Sequence, residues 1–263
     1  MIKDIKLKSQ EILKGKWSDS FSFAFAFFLF TVILSIIFTE PSKFPYIGFI
    51  FPLFSFIFAF SAFVGLIGVI KKFDENKEVK MLDFLYLAFH HFLSIWKILW
   101  NIILKNIVLI LFCIIFYVVA ITSTSHLPFF LSFLANNFGR VAGIIASIGY
   151  LICIFMLIPK LLYYTLSYFI FFDFPNLSEK ECVEKSAILM SNNRWNLCKL
   201  FLSFLGWFLL LGIIFVIITI LHIDFFYLLT VLAYIGISFL TVYIITCFLQ
   251  FYETLKKQAD KNN

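Results

Sequence analysis

The chain has 263 residues, 62% of them hydrophobic and 14% charged, with a formal net charge of +6; its mean hydropathy is +1.01. A soluble domain is about 45–50% apolar and about 25% charged, so this composition excludes a soluble globular fold and points to an integral membrane protein whose first partner is the lipid bilayer. No nucleic-acid partner is expected. The five cysteines (Cys113, Cys153, Cys182, Cys198 and Cys247) form no CxxC pair and read as small apolar filler, not as a disulfide or metal site.

The chain opens on Lys3, Lys6, Lys8, Lys14 and Lys16, with Ile5, Ile12 and Leu13 on one helical stripe. Two readings stand: a basic amphipathic helix lying in the membrane interface, or a loosely ordered juxtamembrane tail. The apolar run Phe21 to Phe38 is longer than the h-region of a signal peptide, about 7–15 residues, and no A-x-A site follows it. It is expected to be a retained first span.

Six apolar runs reach the length needed to cross ~30 Å of hydrocarbon: Ser20 to Phe38, Tyr46 to Ile70, Ile98 to Ile121, a fourth between Val141 and Phe172, Cys198 to Ile220, and Phe225 to Tyr252. The expected fold is all-α, a polytopic membrane protein with six transmembrane helices in a single membrane domain covering the whole chain. The fourth run would reach about 48 Å as one upright helix at ~1.5 Å per residue. Pro159 lies inside it, so a kink or strong tilt is expected there; a re-entrant segment followed by a short span is the other possibility. Lysine and arginine placement sets the orientation. Apart from Lys105 and Lys160 inside runs, only Lys43 and Arg140 fall on one side, and all other cations fall on the opposite one. Both termini are therefore expected in the cytoplasm, with the protein in the plasma membrane.

An internal repeat is visible. Asp74 precedes Trp96 by the same interval as Asp173 precedes Trp195. Each Asp follows a Phe that ends a run, each Trp precedes the next run, and amphipathic stretches (Met81 to Trp96, Ser178 to Trp195) lie between. Trp17 closes a similar stretch, and Tyr252-Glu253 ends the last run as Phe-Asp ends the others. The pattern is that of three parallel units (1–73, 74–172 and 173–253, with 254–263 as a tail), each an interfacial helix and a two-span hairpin. In the third unit Pro175 stops the preceding span, and Ser178 with Glu181 forms a capping-box pattern. Trp17, Trp96, Trp195 and Trp207 read as interface anchors, with Asp173, Pro175 and Ser178 as stop and cap.

Ile158-Pro159, Tyr168, Asp173-Phe174-Pro175, Ser178, Ser186, Leu189-Met190, Trp195, Leu202-Ser203-Phe204, Gly206-Trp207 and Phe251-Tyr252-Glu253 together resemble the bacterial integral membrane family catalogued as domain of unknown function 975. The opening Leu13-Lys14-Gly15-Lys16-Trp17 looks like that family's N-terminal signature. Lys160 stands where the family favours Gly, and Ser191-Asn192-Asn193 replaces a linker that usually carries one. The resemblance implies a polytopic, non-enzymatic membrane protein without established activity, distantly similar to membrane domains attached to some glycerophosphodiester phosphodiesterases.

No catalytic motif is present: no HExxH, GxSxG, P-loop or GxGxxG. Neither an enzymatic activity nor a cofactor is expected. Ser94 and Lys97 match SxxK, two fixed positions that carry almost no information. His90 and His91 are adjacent and so point to different helix faces, which suits solvation better than a shared metal. Lys105 and Lys160 stand out, because a lysine at a helix centre costs roughly 2.5–3.5 kcal/mol. Each can snorkel to the interface or contribute to an anion or lipid-headgroup site. Two functions follow as expectations: a structural or interaction protein of the envelope with a membrane or cytoplasmic protein partner, or a transporter, channel or lipid-translocating protein with a site near Lys160.

Overall fold

The computed structural model describes residues 1–14, 17–38, 50–80, 82–124, 132–220 and 226–262. Those residues are helical apart from short turns. The helices are α1 (Ile2–Leu13), α2 (Trp17–Phe38), α3 (Ile50–Asp74), α4 (Asp83–His90), α5 (Phe92–Thr124), α6 (Ser132–Leu162), α7 (Ser167–Asp173), α8 (Glu179–Met190), α9 (Arg194–Leu202), α10 (Leu205–Ile220) and α11 (Phe226–Asn262). Pro41, Pro45, Lys43, His126 and the link 221–224 lie outside the described residues.

Among the described residues, four stretches are long and apolar enough to cross a membrane: Leu53–Asp74, Phe92–Ala120, Ile144–Asp173 and Ile235–Lys261. They correspond to the second, third, fourth and sixth expected runs. The first and fifth coincide with the 22-residue α2 and the 16-residue α10.

The short helices are amphipathic, and each buries one stripe. On α1 the stripe is Ile5, Ser9 and Leu13, spaced by four residues as one helix face requires. On α4 it is Phe84, Leu87 and Ala88. On α8 it is Cys182, Val183, Ser186 and Met190. These helices dock on their neighbours: α1 on α11, α4 on α3, and α8 on both α5 and the short α7. The contact of α4 with α3 is close. A Cβ built on Gly65 would fall 2.1 Å from the Phe84 carbonyl oxygen and 3.1 Å from the Ala88 amide nitrogen. Only glycine lets these backbones approach so far.

A single hydrophobic cluster results, drawing Ile5, Leu66, Phe84, Ile170, Val183, Leu200 and Tyr252 among others from across the chain. It sits at the lysine-rich end. Away from that end the helices keep large apolar side chains exposed, including Val108, Leu111 and Ile115 on α5, Leu151 and Phe155 on α6, and Leu209 and Ile213 on α10. The α5–α6 hairpin packs mostly on itself, with Gly149 against the Phe116 ring.

The fourth run departs from expectation. Helix α6 continues through Pro159, and the chain breaks after it, in a turn at Tyr163 to Leu166, before resuming as α7. The break lies where its freed backbone finds a partner. The Ser186 hydroxyl donates to the Tyr163 carbonyl at 2.8 Å, and the Arg194 guanidinium lies 4.3 Å from the Tyr163 ring centre. A proline in the last turn of α6 removes one N–H there, but α8 decides where the helix ends. The fifth run is also divided, by a turn at Ser203 and Phe204 between α9 and α10.

Candidate functional site

The strongest concentration of polar chemistry lies where α3, α7 and α11 meet. Asp173 is the last residue of α7. Phe174 follows it as the helix C-cap, and Pro175 occupies the next turn. The Asp173 carboxylate therefore points from a helix end into the gap between α3 and α11. Its Oδ1 accepts from the Lys71 ammonium. Its Oδ2 accepts from the Tyr252 hydroxyl at 2.6 Å and the Lys256 ammonium at 2.7 Å. The side chains of Lys71 and Asp173 are 5% and 14% exposed, against 32% for Lys256.

Burying these groups is costly, and the arrangement answers the cost with charge-assisted hydrogen bonds to both carboxylate oxygens. The Lys71 ammonium also lies 6.0 Å from the Tyr252 ring centre. Lys256 and Lys185 share the Phe174 ring, at 5.1 and 3.6 Å. Glu253 is within electrostatic reach of Lys256, Asp173, Lys71 and Asp74. Asp173 and Asp74, each the last residue of its helix, and Glu253 within α11 thus gather around Lys71 and Lys256. This clamps the helices together and lets a buried charge sit without a free counter-ion.

A second polar seam joins α8 to α5. Glu179 Oε1 accepts from the Ser94 hydroxyl at 2.9 Å and lies 3.6 Å from the Lys97 ammonium. Both residues of the SxxK match therefore turn to one carboxylate. Glu179's own amide, then the Ser94 hydroxyl and the Lys97 charge, hold that carboxyl below its ordinary range against the opposing effect of burial. One end of α8 carries the full capping box: the Ser178 hydroxyl accepts from the Glu181 amide at 3.3 Å, and the Ser178 amide donates to Glu181 Oε2 at 2.7 Å.

Lys105 belongs to this seam. Its ammonium is 3.6 Å from a Glu184 oxygen and 5.9 Å from the Tyr164 ring centre. Lys160 does not join it. It is exposed in the last turn of α6, close to the break, with no ion pair among the described residues. The break at Tyr163 to Leu166 follows Lys160 closely, within the apolar stretch Ile144–Asp173. The anchor tryptophans are placed differently from one another. Trp195 is 77% exposed and Trp207 56%. Trp17 is half-buried against Phe239 and Tyr243. Trp96 packs on Phe60 and donates its indole N–H to the Ser61 hydroxyl at 3.0 Å. His90 stacks on Tyr86 at 5.6 Å, while His91 turns edge-on to Phe171 at 5.3 Å. Burial, then the charges of His90 and Lys72, pushes the His91 imidazole below its ordinary value.

Sequence reasoning marked Asp173 as a helix stop and missed its partners. The available signal was the recurrence of an acid at the end of each second span, which predicts that the three ends converge if the units are arranged about one axis. No group of three or more metal-ligating side chains occurs among the described residues.

Neither a curated protein nor a solved structure matches the chain. A family model does, over nearly its entire length. Matching residues 1–259, that model places the chain in the family described as "Protein of unknown function (DUF975)", to which it belongs.

Proposed function

We propose that this is a non-enzymatic, multi-pass plasma-membrane protein that works by interaction, presenting its lysine-rich end to a membrane or cytoplasmic protein partner. In this reading α2, α3, α5, α6 with α7, α10 and α11 provide six spans, and both termini are cytoplasmic. The observation that carries it is the Asp173 cluster, which ties α3, α7 and α11 into one buried core. Around that core α1, α4 and α8 form a fixed collar. The α4 helix docks on α3, α8 on α5 and α7, and α1 on α11. Ile188 on α8 is exposed, as are Leu93 in the first turn of α5 and Trp195 in the first turn of α9, apolar side chains of the kind that mark interaction sites.

The test is purification from membranes after mild crosslinking. A stoichiometric protein partner, lost when Ile188 and Trp195 are changed to Ser, supports the proposal. Ion or labelled-lipid flux through liposomes containing the protein, with no partner recovered, would replace it with a transport function. A reporter fused after Lys261 should be active only on the cytoplasmic side; activity outside would overturn the orientation.

A further inference from the structure

We infer that the groove between the start of α2, α10 and α11 holds one acyl chain of an anionic phospholipid, with its phosphate at Lys6. The inference rests on the membrane reading above. The groove is lined by Trp17, Trp207, Gly236, Phe239, Leu240 and Tyr243 and has a volume of about 480 Å³, inside the ~300–1,000 Å³ of small-molecule sites.

The groove exists because α10 stands off from α11. A Cβ on Gly206 would meet nothing within 4 Å, and Trp207, Phe208 and Leu209 are all exposed. The opposite wall is continuous and aromatic. Phe239 lies 6.0 Å from Trp17 and stacks on Phe21 at 4.4 Å. An unfilled apolar slot forfeits dispersion contacts along its whole lining, and a flexible hydrocarbon chain restores them without introducing a polar group.

The slot is not apolar at both ends. At the lysine-rich end the Tyr243 ring meets Phe204 edge-on at 5.8 Å. The Lys6 ammonium lies 4.8 Å from the centre of that same Phe204 ring and donates to the Ser203 carbonyl at 3.3 Å. That carbonyl belongs to the turn between α9 and α10, so Lys6 is held in place by the break that opens the groove. An ammonium has three donors, and this bond uses one of them. A hydrocarbon slot with a fixed cation at one mouth matches an amphiphile with an anionic head. A zwitterionic lipid offers the same chain with less net attraction.

The experiment uses the full-length protein in vesicles of phosphatidylglycerol and phosphatidylcholine, with a photoactivatable diazirine in the acyl chain of one lipid or the other. Label is mapped in the vesicles and again after extraction and washing in detergent. In the vesicles, both segment 236–243 and the segment around Phe155 should be labelled; Phe155 is 79% exposed and lies outside the groove. After washing, phosphatidylglycerol label should persist at 236–243 and Trp207 several-fold above Phe155, and above phosphatidylcholine at the same place. Lys6→Gln, at the periphery, should erase the preference between the two lipids while leaving the Phe155 label unchanged. Gly236→Leu should remove the retained label. Equal retention of the two lipids, or equal label at 236–243 and Phe155 after washing, overturns the site and leaves the membrane reading intact. No label anywhere in the vesicles overturns both.

Discussion

Asp173 shows how much one carboxylate can organise. Removing one member of a buried ion pair strands the other, at a cost of about 3–5 kcal/mol. Asp173→Asn leaves Lys71 without its counter-charge, so a loss of that size is expected in denaturant or thermal unfolding of the detergent-solubilised protein. Lys256→Met should lose less than about 1 kcal/mol, because its side chain is 32% exposed and partly exposed pairs are screened. Equal losses for the two variants would show that the cluster is not organised around the Lys71 pair. The Glu179 seam gives a pH dependence. The folded-state value of Glu179 lies below its ordinary 4.5, so the folded state favours the ionised form. The stabilisation is complete above that ordinary value and is lost as pH falls through the folded one. Glu179→Gln should flatten the acid limb of the stability curve by less than about 1 kcal/mol. Ser178 was legible from sequence because a capping box is local, closing over three residues. The partners of Asp173 were not, because Lys71 and Tyr252 lie 102 and 79 residues away, and no local pattern encodes that pairing.

At the scale of elements, the long helices were legible as apolar runs and their interruptions were not. Hydropathy averaged over a span's length stays high across Tyr163 to Leu166 and across Ser203 and Phe204, because the apolar flanks outweigh the few hydroxyl-bearing residues in each turn. Each break is fixed by a group from elsewhere: Ser186 and Arg194 at the first, Lys6 at the second. Trp96 makes the same point. Its place before an apolar run suggests a belt residue, yet its indole is held by Ser61, which only the crossing of α3 and α5 supplies. Helix approach gives a sharp comparison between two glycines. Gly65→Ala drives a methyl group into the Phe84 carbonyl oxygen, 2.1 Å from the new Cβ, and should cost at least about 1–3 kcal/mol as α4 is pushed off α3. Gly206→Ala adds the same methyl where nothing lies within 4 Å, and should cost nothing measurable or gain up to about 1 kcal/mol of helix propensity. Unfolding of the two variants under identical detergent conditions checks both expectations.

For the whole molecule, the long apolar helices were legible in composition, while the location of the core needed the structure. A bundle of such helices could bury its side chains evenly along its length. This one concentrates them at the lysine-rich end, where short amphipathic helices surround the ends of α3, α7 and α11, and leaves the α5–α6 hairpin and α10 with apolar flanks outward. In the sequence an acid closes each second run and a tryptophan opens the next. Those marks do not show that α1 belongs beside α11, because nothing in either helix names the other.

That last contact has a consequence for how the chain is made. The α1 helix is synthesised before both elements it packs against, α9 and α11. Most of the contact that shelters the side of α1 carrying Ile5, Ser9 and Leu13 therefore waits for α11. Docking of α1 thus reports that α11 is in place. Chains that contain α11 can close the collar, and those that stop before it leave that stripe largely uncovered.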